Sequence, residues 1–244
     1  MKRIYLLAAI ILIFGVTYAI EYYANSQFET QELVISGISG SERGVVQTFD
    51  YLKDDELVGS YSYKMEESGD QYIMMSETDV TSGEHVLELE TVYTFDNLYK
   101  PEYYSLTATS NGEENEITTE ITNGNITTSV TSAGVTVNFT DVYVDGMLLI
   151  ENSMPGFWEV LFNSFEVERG VKYSASIYIP QAAMAFDVNL VVSKDDPLTW
   201  VGDERLECMA IGEANLDLGF YMYEGELVEM RSEGQGVVLR KILN

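Results

Sequence analysis

Cysteine and histidine are almost absent from this chain: among 244 residues there is one of each, Cys208 and His85. A single cysteine can form no intramolecular disulfide and no cysteine-based zinc cage. A single histidine excludes a histidine-rich metal site. It also leaves His85 as the only ordinary base for a serine or cysteine nucleophile. His85 stands in Gly83-Glu84-His85-Val86, at the start of an alternating run, where an exposed strand-edge residue is expected. The G-x-S-x-G elbow, the P-loop and the dinucleotide fingerprint are all missing. Cys208, within Leu206-Glu207-Cys208-Met209-Ala210-Ile211, reads as a buried, inert thiol inside an alternating strand. Basic residues are also scarce, 13 against 40 acidic ones, for a formal net charge of −27. A surface this negative repels phosphate and argues against nucleic acid and against anionic membranes as partners of the folded part. These absences lead to the expectation of a protein that is not an enzyme and holds no cofactor or metal.

Hydrophobic residues make up 46% of the chain and charged residues 22%, the balance of a folded globular protein. At the N-terminus, Lys2 and Arg3 precede an apolar run from Ile4 to Ile20, and Glu21 follows. A basic start with an acidic sequel orients the rest of the chain outward, to the periplasm or cell surface. The run serves either as a cleaved signal or as a retained anchor. Thr17-Tyr18-Ala19 is a poor cleavage site, while Tyr22 and Tyr23 suit the outer membrane interface. Residues 1–24 are therefore expected to be a signal peptide or membrane anchor, with membrane contact through that helix only. Residues 25–244 are expected to be an antiparallel β-domain, divisible into halves 45–152 and 170–244.

From residue 45 onward the apolar residues alternate. Leu57, Gly59, Tyr61, Tyr63 and Met65 share one parity, as do Leu87, Leu89, Tyr93 and Phe95, and later Val135, Val137 and Phe139. In the second half Val171, Tyr173, Ala175, Ile177 and Ile179 alternate, as do Met184–Val192 and Leu216–Met222. Each run is expected to bury one face and wet the other. Asn123-Gly124 and Glu224-Gly225 lie between such runs and read as two-residue hairpin turns. The pattern predicts a mainly β fold: a strongly curved antiparallel sheet, either a half-barrel or a barrel.

One segment departs from the period of two. Phe157, Trp158, Leu161, Phe162 and Phe165 follow helical spacing. Ser153 is placed as N-cap, Pro155 suits the first turn, and Gly170 suits the end, giving an amphipathic helix of about three turns. Glu159, Asn163 and Glu166 would face water. Lying on or in the curved sheet, the five apolar residues are the candidate contacts for an apolar ligand, unless they fill the core. The acidic pairs Asp54-Asp55, Glu113-Glu114, Asp195-Asp196 and Asp203-Glu204 lack the spacing of calcium loops and read as solvated turns.

The run Phe49–Tyr63, the pieces Thr91–Phe95 and Pro101–Tyr104, and the closing runs Trp200–Met209 and Phe220–Met230 resemble uncharacterised exported β-proteins related to the lipoprotein-carrier (Lol-type) half-barrel. The resemblance spans roughly residues 45–243. It implies a curved sheet wrapped around a helix, with an apolar interior that holds acyl chains in the carriers. The expected function is that of an exported, non-enzymatic envelope protein binding a lipid or other apolar ligand. A structural or adhesion-type surface domain with a filled core and an envelope protein partner is the alternative.

Overall fold

The computed structural model describes residues 28–38, 43–151 and 154–243. The expected signal or anchor at residues 1–24 lies outside them, as does Ser153. No helix among the described residues is long and apolar enough to cross a membrane.

The fold is mainly β, as the alternation requires. The first half contains β1 (Glu29–Glu32), β2 (Val46–Lys53), β3 (Glu56–Ser68), β4 (Gln71–Ser82), β5 (His85–Asp96), β6 (Pro101–Ser110), β7 (Glu113–Thr122), β8 (Asn125–Ser132), β9 (Val135–Val142) and β10 (Leu148–Leu149). One short helix, α1 (Pro155–Phe162), follows. The second half contains β11 (Val171–Ile179), β12 (Met184–Val192), β13 (Leu198–Val201), β14 (Glu204–Glu207), β15 (Met209–Glu213), β16 (Leu218–Tyr223), β17 (Glu226–Ser232) and β18 (Val237–Lys241). Sixteen of these strands form one sheet, in the order β1-β11-β12-β15-β16-β17-β18-β2-β3-β4-β5-β6-β7-β8-β9, with β10 also on β11. The pairing is antiparallel except for β1 and β10, which run parallel to β11. The seam between the two halves is β18 against β2, from Val237↔Lys53 to Lys241↔Phe49.

Short hairpins set the registers. Asn123 and Gly124, and Glu224 and Gly225, have positive φ at both turn positions, the backbone that a two-residue hairpin needs. The pair Asp54-Asp55 does the same with two aspartates, at φ 50° and 66°. Bulges adjust the alternation at three places, one of them at the Thr94–Phe95 step of β5. Opposite the Tyr51–Leu52 step, Gly59 is followed in the ladder by Leu57, so Val58 is the extra residue and Leu57 turns outward, 65% exposed. Opposite Tyr221–Met222, the ladder passes from Glu229 to Leu227, and Leu227 and Met230 both point into the core.

The sheet curls around α1. Phe49, Tyr61, Tyr63, Met74, Tyr93, Phe95 and Tyr104 on one side, and Ile177, Leu190, Phe220, Leu227, Met230 and Leu239 on the other, join the helix in one buried cluster. The sheet is not closed into a barrel. Its far end overlaps its near end instead. Thr128 of β8 shares a hydrogen bond with the Tyr178 hydroxyl of β11 (2.8 Å), and Ile126 packs with Tyr178 and Met147. Tyr178 alternates with the core residues Ile177 and Ile179, so it belongs to the opposite face of β11. The inner face of β7–β8 therefore covers the outer face of β11, and β9 runs beyond the overlap. This corrects the expectation that every run buries a face: Val135, Val137 and Phe139 on β9 are exposed, at 66%, 51% and 44%.

The helix is shorter than the spacing predicts and is buried all round. It ends at Phe162, with Asn163 as C-cap. Phe165 lies past its end, and Gly170 instead turns the chain at φ 75° into β11. Its N-cap is Met154, which offers no side-chain hydrogen bond. The orphan N–H of Gly156 is met from the sheet: it donates to the Tyr61 hydroxyl (3.2 Å). The Tyr99 hydroxyl donates to the Phe157 carbonyl (2.9 Å). Glycine at 156 is required for this docking. A Cβ there would stand 2.6 Å from the Tyr61 hydroxyl and 2.7 Å from the Tyr63 ring.

Candidate functional site

The helix is too small to plug the whole roll. Beside its approach, a cavity of about 480 Å³ opens between the inner face of β5–β6 and the two turns that follow β11 and β15. Leu89, Leu106, Met154, Ile179, Phe186 and Leu216 form its apolar wall, with Gln181 and Ala182 at the exposed mouth. This size falls within the range of about 300–1,000 Å³ typical of small-molecule sites.

One carboxylate stands in that wall. Glu151 is 1% exposed, in the irregular segment between β10 and α1. The Thr91 hydroxyl donates to its Oε2 (3.1 Å), and Met154, three residues on, accepts a contact from the Thr78 hydroxyl at Sδ (3.4 Å). The Gln181 amide donates to the Tyr104 hydroxyl (3.0 Å) at the same end of the cavity. Glu151 Oε1 has no hydrogen-bond partner among the described residues. Burial pushes the Glu151 carboxyl up to about 7, while hydrogen bonds from Thr91, Tyr104 and Gln181 pull the other way. Near neutral pH this side chain therefore exists in both protonation states.

A second buried carboxylate lies on the helix. Glu159, expected in water, is 4% exposed. The reason is that the sheet surrounds the helix, so no side of it is left for polar residues. Lys241 of β18 donates to Glu159 Oε1 (3.1 Å) and to Glu226 Oε2 (3.0 Å). Burial raises the Glu159 carboxyl and Lys241 lowers it, with burial the larger effect. Glu159 does not line the Glu151 cavity.

The five apolar residues singled out by helical spacing all enter the main core. Phe157 and Trp158 are fully buried, and Leu161, Phe162 and Phe165 nearly so. Trp158 packs on Phe162 and Phe220, with ring centroids at 6.2 and 4.7 Å, and Phe165 meets Tyr173 edge-on at 5.0 Å. None of the five lines the Glu151 cavity. His85 is exposed at the first position of β5, with Asn111 Nδ2 3.4 Å from its Nδ1. Cys208 is buried as expected, but it sits between β14 and β15 rather than inside one strand, and burial pushes its thiol up. Among the described residues, no group of three or more His, Cys, Asp or Glu side chains is placed to hold a metal ion.

Sequence reasoning missed Glu151 because its segment carries neither period. The available signal was compositional: an acid directly after the apolar run Met147-Leu148-Leu149-Ile150.

No protein-family model matches the chain, and no curated protein sequence does. Among solved structures, a DUF1089 family protein from Pseudomonas aeruginosa is similar over 78% of this chain and 92% of its own, at 9% identity and a TM-score of 0.41. A likeness at that TM-score carries no argument about fold or function, and that protein is not described as a lipoprotein carrier.

Proposed function

We propose that this chain is an exported, non-enzymatic envelope protein that holds an apolar ligand in the cavity beside Glu151. The cavity carries this reading: an apolar wall with one buried, unpartnered carboxylate oxygen is the composition of a small-molecule site, in which few polar groups fix orientation. The N-terminal Lys2-Arg3 and the apolar run to Ile20 support export and attachment to a membrane through that run. The helix residues Phe157, Trp158, Leu161, Phe162 and Phe165, expected to contact such a ligand, act in this reading as core packing beside the cavity and do not touch its occupant. Native mass spectrometry of the purified full chain tests it. A co-purified small molecule is expected, and it should be lost in Ala182→Trp, which fills the mouth. An empty wild-type protein that also fails to bind octanol in calorimetry removes the reading.

The second reading is a structural or adhesion-type surface domain with a protein partner. The observation that favours it is the exposed edge strand β9, with Val135, Val137 and Phe139 open beyond the overlap.

A further inference from the structure

We propose that the ligand of the Glu151 cavity carries a protonated amine on an apolar body, and that Glu151 is the counterion that selects it. The inference rests on the apolar-ligand reading and names the ligand's chemistry.

Among the described residues four glutamates are buried: Glu151, Glu159, Glu213 and Glu229. Three are compensated within the fold. Glu159 has Lys241. Glu229 has Arg231, Arg240 (2.9 Å) and the Thr199 hydroxyl (3.0 Å). Glu213 accepts from the backbone N–H groups of Asn189 (3.2 Å) and Leu216 (2.6 Å). Glu151 alone has neither a cation nor a backbone donor among the described residues, and it borders an apolar cavity. A buried carboxylate is tolerated when it is paired and hydrogen-bonded. The polar neighbours of Glu151 are already arranged for the anion: Thr91, Tyr104 and Gln181 all favour its charged form. What is missing is a positive charge with an N–H for Oε1.

An alkyl or aryl ammonium supplies both and leaves its apolar part against Leu106, Ile179 and Phe186. A neutral alcohol supplies the hydrogen bond alone. A fatty acid would bring a second anion to a buried one. The net charge of −27 acts in the same direction, enriching organic cations near the protein and depleting anions.

Isothermal calorimetry of the full chain at pH 8, with octylammonium, octanol and octanoate each below its micellar range, tests the inference. The expected result is one site that takes octylammonium about tenfold more tightly than octanol, the gain of a charge-assisted over a neutral hydrogen bond, with no uptake of octanoate. In Glu151→Gln the amine should fall to the level of octanol, and octanol should be unchanged. If wild type binds the amine and the alcohol equally, the inference fails while the apolar-ligand reading stands. If none of the three binds, both fail. Amine binding that survives in Glu151→Gln is adsorption to the acidic surface and also overturns it. Should that variant not fold, wild type alone decides. The titratable groups facing Glu151 are Tyr104 of β6 and Tyr61 of β3, both held protonated by burial. Amine affinity should therefore rise between pH 6 and pH 8 as Glu151 ionises, with octanol affinity flat. A flat amine profile counts against the proposal.

Discussion

The two ends of α1 lie in different surroundings. On the Lys241 side, the space between helix and sheet is filled: Trp158 and Phe162 pack on Phe220, and the Glu159 carboxylate meets an ammonium. On the Glu151 side, a cavity remains, and the carboxylate has hydroxyl and amide neighbours but, among the described residues, no cation. Both glutamates keep one oxygen without a hydrogen bond, Oε2 of Glu159 and Oε1 of Glu151. The difference lies in charge and space. The chain supplies a counterion to Glu159 and, among the described residues, none to Glu151.

The largest expected effect sharpens the filled side. Trp158→Ala should lower stability by about 3–5 kcal/mol, the usual cost of deleting a core aromatic, read as a lower urea midpoint. A near-normal midpoint would mean that the helix is a lid rather than a permanent part of the core. Next, Lys241→Met should cost about 3 kcal/mol, the low end for breaking a buried pair, because Glu159, already raised by burial, can take up a proton. The double variant Lys241→Met/Glu159→Met should recover most of that loss in the same urea titration.

Glu151→Gln should act with the opposite sign. The folded carboxyl titrates near 7, against 4.5 when unperturbed. Between these values the unfolded chain has released a proton that the folded chain retains. Stability therefore falls as pH rises through that window, by up to about 3 kcal/mol, and is level above and below it. Glu159 is shifted in the same direction, so only the difference between variant and wild type isolates Glu151. That difference should be near zero at pH 4 and on the order of 1 kcal/mol in favour of the variant at pH 8. The amide recovers only part of the charge cost, because its own N–H needs a partner. A variant less stable than wild type at pH 8 would place a hidden cation beside Glu151. The smallest effect belongs to an exposed pair. Asp196→Asn breaks the two-pronged contact with Arg169 and should cost about 0.5 kcal/mol or less, vanishing in high salt.

Much of the sheet was legible because period two is a local signal. The runs around Tyr61, Tyr93, Ile177 and Phe220 became strands, and Asn123-Gly124 and Glu224-Gly225 became turns. The helix was legible as a helix, but its sides were not. Spacing reports which residues are apolar, while burial depends on how far a sheet wraps. Here every residue of the helix is covered, so Glu159 is inside with the phenylalanines. The exposed apolar face of β9 was misread for the related reason that alternation does not reveal whether anything covers a strand. The parallel pairing of β1 and β10 with β11 joins segments distant in sequence, and the candidate site follows from that geometry. Glu151 becomes special only once β10, the start of α1, β6 and the turn at Gln181 converge.

The β18–β2 seam bears on the order of events during synthesis. β2 is among the early strands to leave the ribosome, and one of its two neighbours, β18, is the last described strand to do so. Until β18 arrives, the β2 edge carrying Phe49 and Tyr51 stays open. For the same interval Glu159 lacks the ammonium that β18 brings at Lys241. Such long-range closure is slow, because loop entropy must be overcome before the contacts form. The β2 edge therefore gains its partner and Glu159 its counterion in the same event, the docking of β18.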